Sequence, residues 1–312
     1  MQHRNTWTPL QRFRLQRGFV HGQPLFLPNR FMTYCVAMSV RDGLVFLSDT
    51  RTNAGVDHVS TFRKMTVFEQ PGERVLVVLA AGNLALTQSV LQLLVEPAAP
   101  ERASLWNVPN VYEAARVIGE AVREVHHLHA QPLQEFGVEF NCSFLLGGQI
   151  RGQAMRLFQI YSAGNFIEVS TVNPYFQIGE AKYGKPIIDR VLTPDTPLHE
   201  AAKCALVSMD STLRSNVSVG LPLDLLVYER DSLRVTHFAQ LDSENAYFQM
   251  IHNTWGERLR QVFTEIPDPD WTSVEQLPSA GRASAMAPRA IVPAGIGADV
   301  VSTPAQTLAQ ES

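Results

Sequence analysis

Between Met32 and Met65 the chain reads MTYCVAMSVRDGLVFLSDTRTNAGVDHVSTFRKM, and this stretch restricts the possible folds more than any other. Thr33 to Arg41 is mostly β-branched, aromatic or small, and Leu44 to Thr50 is again largely apolar. Asp42-Gly43 between them is a strong short hairpin signal. A hairpin returns the second strand to the start of the first, which places Asp49 and Arg51 close to Thr33. A strict two-residue turn at Asp42-Gly43 would put Thr33 and Asp49 on opposite faces. A bulged turn with Gly43 in a left-handed conformation is therefore predicted, so that Thr33, Asp49 and Arg51 share one face.

Met32 precedes a small residue, the context in which a Met is readily trimmed. Thr33 then becomes the N-terminus, with a hydroxyl and a free α-amine on one residue. That pair suffices for nucleophilic catalysis, because an α-amine of pKa about 8 can take the hydroxyl proton near neutral pH. Lys64 would favour the unprotonated amine through its charge, and Asp49 would pair with Lys64 so that neither charge is left uncompensated. No metal or other cofactor is required.

Thr33, the SDTRTNAG run from Ser48 to Gly55, and Lys64 resemble the proteasome-type N-terminal-nucleophile peptidases. Within them, TYC...SDTRTNAGVD...STFRKM is most similar to Anbu, the bacterial ancestral β-subunit. The likeness continues through AAGNLALTQSVL, IGEAKYGKPIIDR, LRSNVSVGLPLDLLVY and WGERL, and so covers most of Thr33 to about Trp271. The resemblance implies an α+β fold, a four-layer αββα sandwich of two antiparallel sheets, and peptide-bond hydrolysis by threonine. It also implies self-association into a ring or spiral. In that family a carboxylate and a serine from a late segment support the nucleophile; Ser215 and Ser218 fall there, with Ser215 in the carboxylate's place.

The chain has 312 residues, 45% hydrophobic and 18% charged, with a net charge of -4. These values fit a globular chain with enough apolar surface for a large core. The mild acidity gives no basic field for nucleic acid. No apolar run reaches the roughly 18 residues of a membrane span. Cys35, Cys142 and Cys204 form no metal-like spacing and leave one thiol odd, which suits a reducing cytoplasm. Cys35, two residues from Thr33, invites a thiol-nucleophile reading; the competing one is a small apolar strand residue.

Residues 1–32 carry Arg4, Arg12, Arg14, Arg17 and Arg30 but no acidic residue and no signal-peptide core. They read as a leader absent from the mature protein, with translation starting at Met32. A self-cleaved propeptide and a partner-binding arm are the alternatives. A peptidase domain is expected over 33–265, and the Ala-, Pro-, Ser- and Gly-rich stretch 266–312 reads as a disordered tail.

Arg51 to Thr61 suits a loop or short strand lining a cleft, where Thr52 and Asn53 would offer backbone groups to an extended peptide. Arg51 either orients the site or bridges to the acidic surface. Val75 to Ala81 reads as a buried strand running into Gly82-Asn83 and a helix. The Gly82 amide at that junction can hold an oxyanion, while Asn83 can serve as N-cap. Helical spacing is found over Asn83 to Glu96 and Asn110 to Ala130. His126, His127 and His129 end the second of these as dipole partners rather than metal ligands.

Strands over Phe140 to Gly147, Met155 to Ser162, Phe166 to Thr171 and Tyr175 to Gly179 would form a meander in the second sheet. Glu180 follows, where the resembled family has a loop beside the nucleophile, and reads either as approaching the active site or as a solvated loop charge. Helices are expected over Lys185 to Leu192 and Pro197 to Leu213, the latter capped by Thr196. Strands over Leu223 to Tyr228 and Ser232 to Ala239 and a helix over Glu244 to Phe263 complete the domain.

The residues together predict a threonine peptidase acting on peptide or unfolded protein. Thr33, Asp49 and Lys64 are catalytic, Gly82, Arg51, Ser215 and Ser218 supporting. An N-terminal-nucleophile amidohydrolase acting on a small amide and a non-catalytic assembly subunit are the competing readings. Whether an ATPase partner feeds the site is not legible in the residues.

Overall fold

The computed structural model describes residues 33–53, 59–96 and 102–269. The leader, the segment 54–58 and all but the first residues of the tail lie outside them. The chain divides into two compact units, Met1–Gln261 and Val262–Ser312. The layered fold belongs to the first.

Twelve strands and five helices are present among the described residues. The chain begins with β1 (Tyr34–Val40), β2 (Gly43–Asp49), β3 (Arg51–Asn53), β4 (Val59–Thr61), β5 (Met65–Gln70) and β6 (Arg74–Gly82). Helices α1 (Leu84–Val95) and α2 (Val111–Glu135) follow, then β7 (Cys142–Ile150), β8 (Arg156–Ile160), β9 (Phe166–Glu168) and β10 (Tyr175–Gly179). Last come α3 (Lys185–Val191), α4 (Leu198–Ser215), β11 (Leu223–Glu229), β12 (His237–Leu241) and α5 (Ala246–Glu265).

One antiparallel sheet has the order β10-β1-β2-β11-β12, a second the order β5-β6-β7-β8-β9, and β3-β4 form a separate ribbon. Period-two alternation gives each central strand two apolar faces. Between the sheets lie Leu44, Phe46, Val77, Leu79, Leu145 and Tyr228. Outside the second sheet, α1 and α2 lay Val90, Leu94, Ala115, Ile118 and Val122 against Leu76, Val78 and Phe144. Outside the first, α3, α4 and α5 bring Ile188, Ala205, Met209, Phe248 and Ile251 onto Val36, Met38, Val45 and Leu47. The result is the expected αββα sandwich. Each fully buried Leu or Phe stabilises it by about 1.5 to 3 kcal/mol.

Four local expectations are corrected. The hairpin turn is Arg41-Asp42, one residue earlier than expected, and no bulge interrupts the β1–β2 register, in which Val40 faces Gly43 and Cys35 faces Ser48. Gly43 is not left-handed. It is glycine because the Tyr228 carbonyl of β11 occupies the space of a Cβ. Thr33 and Asp49 are therefore not brought together by sharing a face.

Strand β10 joins the first sheet beside β1, not the second. Tyr175 packs toward the helices while Phe176 and Ile178 enter the inter-sheet core. A strand apolar on both faces needs a covered position, whereas β9 is a half-exposed edge.

Helix α4 begins at Leu198 with Pro197 at its N-cap position, because the Thr196 hydroxyl instead accepts the Thr193 amide at 2.8 Å. Strand β12 starts only at His237. Asp231 and Leu233 adopt positive φ of 64° and 46°, and Gln149 Oε1 accepts the Asp231 amide at 2.9 Å, which prolongs the turn.

Candidate active site

Thr33 stands immediately before β1 and is 8% exposed. The C=O and N–H of one trans peptide group point to opposite sides of a strand. Accordingly the Thr33 carbonyl faces β10 and accepts the Glu180 amide at 2.6 Å. The Tyr34 amide faces the other way and donates to Asp49 Oδ1 at 3.1 Å. The same carboxylate oxygen accepts Lys64 Nζ at 2.6 Å, and Oδ2 accepts the Gly220 amide at 3.4 Å.

Lys64 Nζ also donates to the Arg51 carbonyl at 2.7 Å. Three positively polarised groups thus converge on one buried carboxylate, next to Thr33. The Asp49 side chain is fully buried and that of Lys64 is 7% exposed. Burial pushes the Asp49 carboxyl above the usual carboxylate range, against the pull of Lys64 and the two amides.

Cys35, the next-but-one residue, faces the inter-sheet core, where Sγ approaches the Ala80 carbonyl at 3.7 Å. Burial holds its thiol far above the usual range, and it contributes no thiolate.

The contact between Cys35 and Ala80 also brings the end of β6 against the start of β1. The Ala80 amide donates to the Lys64 carbonyl at 2.9 Å and the Asn83 amide to Asn141 at 2.8 Å. By ladder alternation the Gly82 amide between them points away from β7, toward the side on which β5 has already ended. Asn83 caps α1, its side chain accepting the Ala85 amide at 3.0 Å.

Arg51 lies against Gly220, in space that a Cβ there would fill, and its NH1 group donates to the Val217 carbonyl at 3.0 Å. It therefore holds the segment after α4. Ser215 is exposed at the last position of α4, and the Ser218 amide donates to Asn216 Oδ1 at 2.9 Å. Neither serine hydroxyl is bonded to Thr33.

In the ribbon, Thr52 faces Ser60, and the Phe62 amide donates to the Thr50 carbonyl at 2.7 Å. That phase turns the Thr52 backbone groups toward β4 and those of Arg51 and Asn53 toward the free edge. Of the expected pair, Asn53 therefore offers the open backbone groups.

Glu180 departs from the expectation of a solvated loop charge. It is buried, with Oε2 accepting Asn216 Nδ2 at 3.1 Å and lying 3.4 Å from Lys182 Nζ. Its amide fixes Thr33, so Glu180 and Asn216 tie two loops together beside the candidate nucleophile. A Gly-Glu step directly after a strand was the available signal.

Gly179 has φ of 82°, and a Cβ there would strike the Thr33 carbonyl. Gly179→Ala is expected to cost about 1 to 3 kcal/mol and to displace Thr33. A lowered calorimetric midpoint checks the first effect.

A cleft of about 760 Å³ opens at the free edge of β5, reaching Arg63 and Met65 on one side and Gln88, Gln92, Leu128 and His129 of the helices on the other. Among the described residues no three His, Cys, Asp or Glu side chains form a metal-binding group. None of their helices is long and apolar enough to cross a membrane.

No family model matches the chain, and no curated protein does. Solved structures do. Anbu (ancestral β-subunit) from Yersinia bercovieri is 56% identical with a TM-score of 0.72, covering 76% of this chain and 99% of that one. The helical assembly of the Anbu complex from Pseudomonas aeruginosa is 51% identical with a TM-score of 0.74, covering 78% of this chain and 100% of that one. Anbu from Hyphomicrobium sp. strain MC1 is 49% identical with a TM-score of 0.70, covering 76% of this chain and 100% of that one. With such identity across nearly the whole of each relative, and the same layered fold, the chain belongs to the Anbu family of proteasome-like ancestral β-subunits.

Proposed function

We propose that the protein is a threonine peptidase whose nucleophile is Thr33 and whose base is the α-amine of the same residue. The observation that carries this reading is the buried Asp49–Lys64 pair, with Asp49 also bound to the amide that follows Thr33. The Thr33 hydroxyl oxygen attacks the peptide carbonyl carbon while the amine takes its proton. The Gly82 amide donates to the oxyanion, a contribution of roughly 3 to 4 kcal/mol for one such donor.

Collapse breaks the C–N bond, the ammonium returns its proton to the departing nitrogen, and an ester on Thr33 remains. Water then attacks that ester with the amine again as base, releasing an acid and restoring Thr33. Lys64 favours the unprotonated amine by charge, and Asp49 holds Lys64 in place.

Ser215 ends α4, and Ser218 lies in the following segment that Arg51 braces. The free edge of the ribbon, with Asn53, suits an extended peptide better than a small amide. Self-association, as in the helical assembly of the Pseudomonas aeruginosa relative, belongs to the same proposal.

Protein released from a cleavable fusion so that it begins at Thr33 is expected to hydrolyse peptides. The same protein with the fusion attached is expected to be inactive. Equal activity of the two would remove the amine from the mechanism.

A further inference from the structure

Arg63 and Lys64 follow one another in the short link between β4 and β5. The link is held at both ends, the Phe62 amide donating to the Thr50 carbonyl at 2.7 Å and the Ala80 amide to the Lys64 carbonyl at 2.9 Å. Between those points Arg63 makes no backbone–backbone hydrogen bond among the described residues. Its course therefore depends on where the side chains are anchored, and in an extended segment adjacent side chains point to opposite sides. Lys64 goes to Asp49. Arg63 goes to Asp224, with Nε 3.6 Å from Oδ2 and the guanidinium 5.5 Å from the centroid of the Phe238 ring.

The Asp224 side chain, on β11, is fully buried. Its Oδ1 accepts Gln240 Nε2 at 3.5 Å, and Oδ2 has no hydrogen bond among the described residues. Its register partner on β2 is Ser48, whose hydroxyl is also buried and unbonded, so the neighbouring strand supplies no compensation. Among the described residues Arg63 is the one cation paired with it. Burial pushes the Asp224 carboxyl above the usual range, and Arg63 is the larger of the two pulls back. Such a carboxylate holds its cation firmly, because release leaves an uncompensated buried charge.

Leu223, one residue before Asp224, pairs with Asp49 in the β2–β11 register. Two consecutive cations thus meet two carboxylates that stand one register step apart on neighbouring strands, Arg63–Asp224 beside Lys64–Asp49. The Arg63 side chain is 60% exposed and that of Lys64 is 7% exposed, so the outer pair braces the inner one.

We propose that Arg63 and Asp224 are positioning residues, whose pair fixes the link so that the Lys64 ammonium stays on Asp49 beside Thr33. The effect on catalysis rests on the peptidase reading, whereas the tether itself does not. A loosened Lys64 spends part of its time away from the Thr33 amine, which then takes a proton more readily.

The test compares the parent with Arg63→Gln, Asp224→Asn, the double variant and Ile188→Ala. Ile188 is buried in the layer between the first sheet and its helices, and its truncation lowers stability without touching the link. Asp224→Asn leaves no unpaired buried charge and keeps the test open should Arg63→Gln fail to fold. One measurement is the rate at which brief reductive methylation labels Lys64 in the full-length chain, read by peptide mapping. The other is the pH dependence of kcat/KM for a peptide, in protein released so that it begins at Thr33.

Lys64 is expected to label slowly in the parent and about tenfold faster in both single variants. The acid limb of kcat/KM is expected to move up by about half a pH unit in each. The double variant should match a single one, since both residues act through one contact. Ile188→Ala should lower the thermal midpoint and move neither measurement.

Lys64 labelling at the parental rate in both single variants, an acid limb that stays in place, or equal shifts in Ile188→Ala would overturn the proposal. Faster labelling in a protein that hydrolyses nothing would instead sink the peptidase reading and leave the tether standing.

Discussion

Thr33→Ala is expected to lower peptide hydrolysis by roughly 10⁴-fold or more, with little change in stability. The substitution removes the attacking oxygen. It leaves the amine, and it leaves the main-chain bond from the Glu180 amide to the residue-33 carbonyl, which does not depend on the side chain. A thermal midpoint within about 2 °C of the parent would show that the lost activity is chemical and not structural. Thr33→Ser keeps the oxygen and is expected to retain measurable turnover. An Ala variant that hydrolyses at the parental rate would move the chemistry elsewhere in the molecule.

The second large effect is expected at Lys64. Lys64→Met leaves the fully buried Asp49 carboxylate without its ammonium, retaining only the Tyr34 and Gly220 amides as donors. Breaking a buried pair from one side costs about 3 to 5 kcal/mol near neutral pH. Hydrolysis is expected to fall by roughly 10²-fold or more, since the amine loses the neighbouring charge that keeps it unprotonated.

The pH dependence has a definite sign. Burial already raises the Asp49 carboxyl, and removing Lys64 raises it further. The folded variant then holds a proton that the unfolded chain, with an Asp pKa of about 3.9, has released. Its stability is greatest below that value and declines as pH rises toward the folded pKa, by up to about 1.4 kcal/mol per pH unit. Asp49→Asn combined with Lys64→Met should recover much of the loss, because no buried charge remains. Denaturant unfolding across pH 4 to 8 measures all three proteins; a Lys64→Met variant as stable as the parent at pH 8 would contradict the buried-pair picture.

How far the residues announce this structure differs from element to element. The αββα layering was legible through the family resemblance, with which the apolar stripes of the helices and the buried strand runs agree. Lys64 and Asp49 were legible as a pair because two opposite charges flanking a hairpin must meet if both are to be buried. The route by which they meet was not legible.

An unbulged hairpin still closes the site, because Asp49 ends its strand and accepts from the Tyr34 backbone, so a shared face is unnecessary. The placement of β10 depended on which sheet offered cover to both of its faces, a tertiary property absent from its five residues. Glu180 and Asn216 were hidden for a related reason. A loop charge reads as solvated until a partner from a distant segment is seen beside it.

The decisive measurement is the intact mass and peptide map of active protein after treatment with a threonine-directed acylating inhibitor. The expected result is a chain that begins at Thr33 and carries a single adduct on that residue, with hydrolysis lost in proportion to labelling. Active protein whose Thr33 amine is still joined to Met32, or an inhibited protein labelled at another residue, would contradict the assignment of nucleophile and base to one N-terminal threonine.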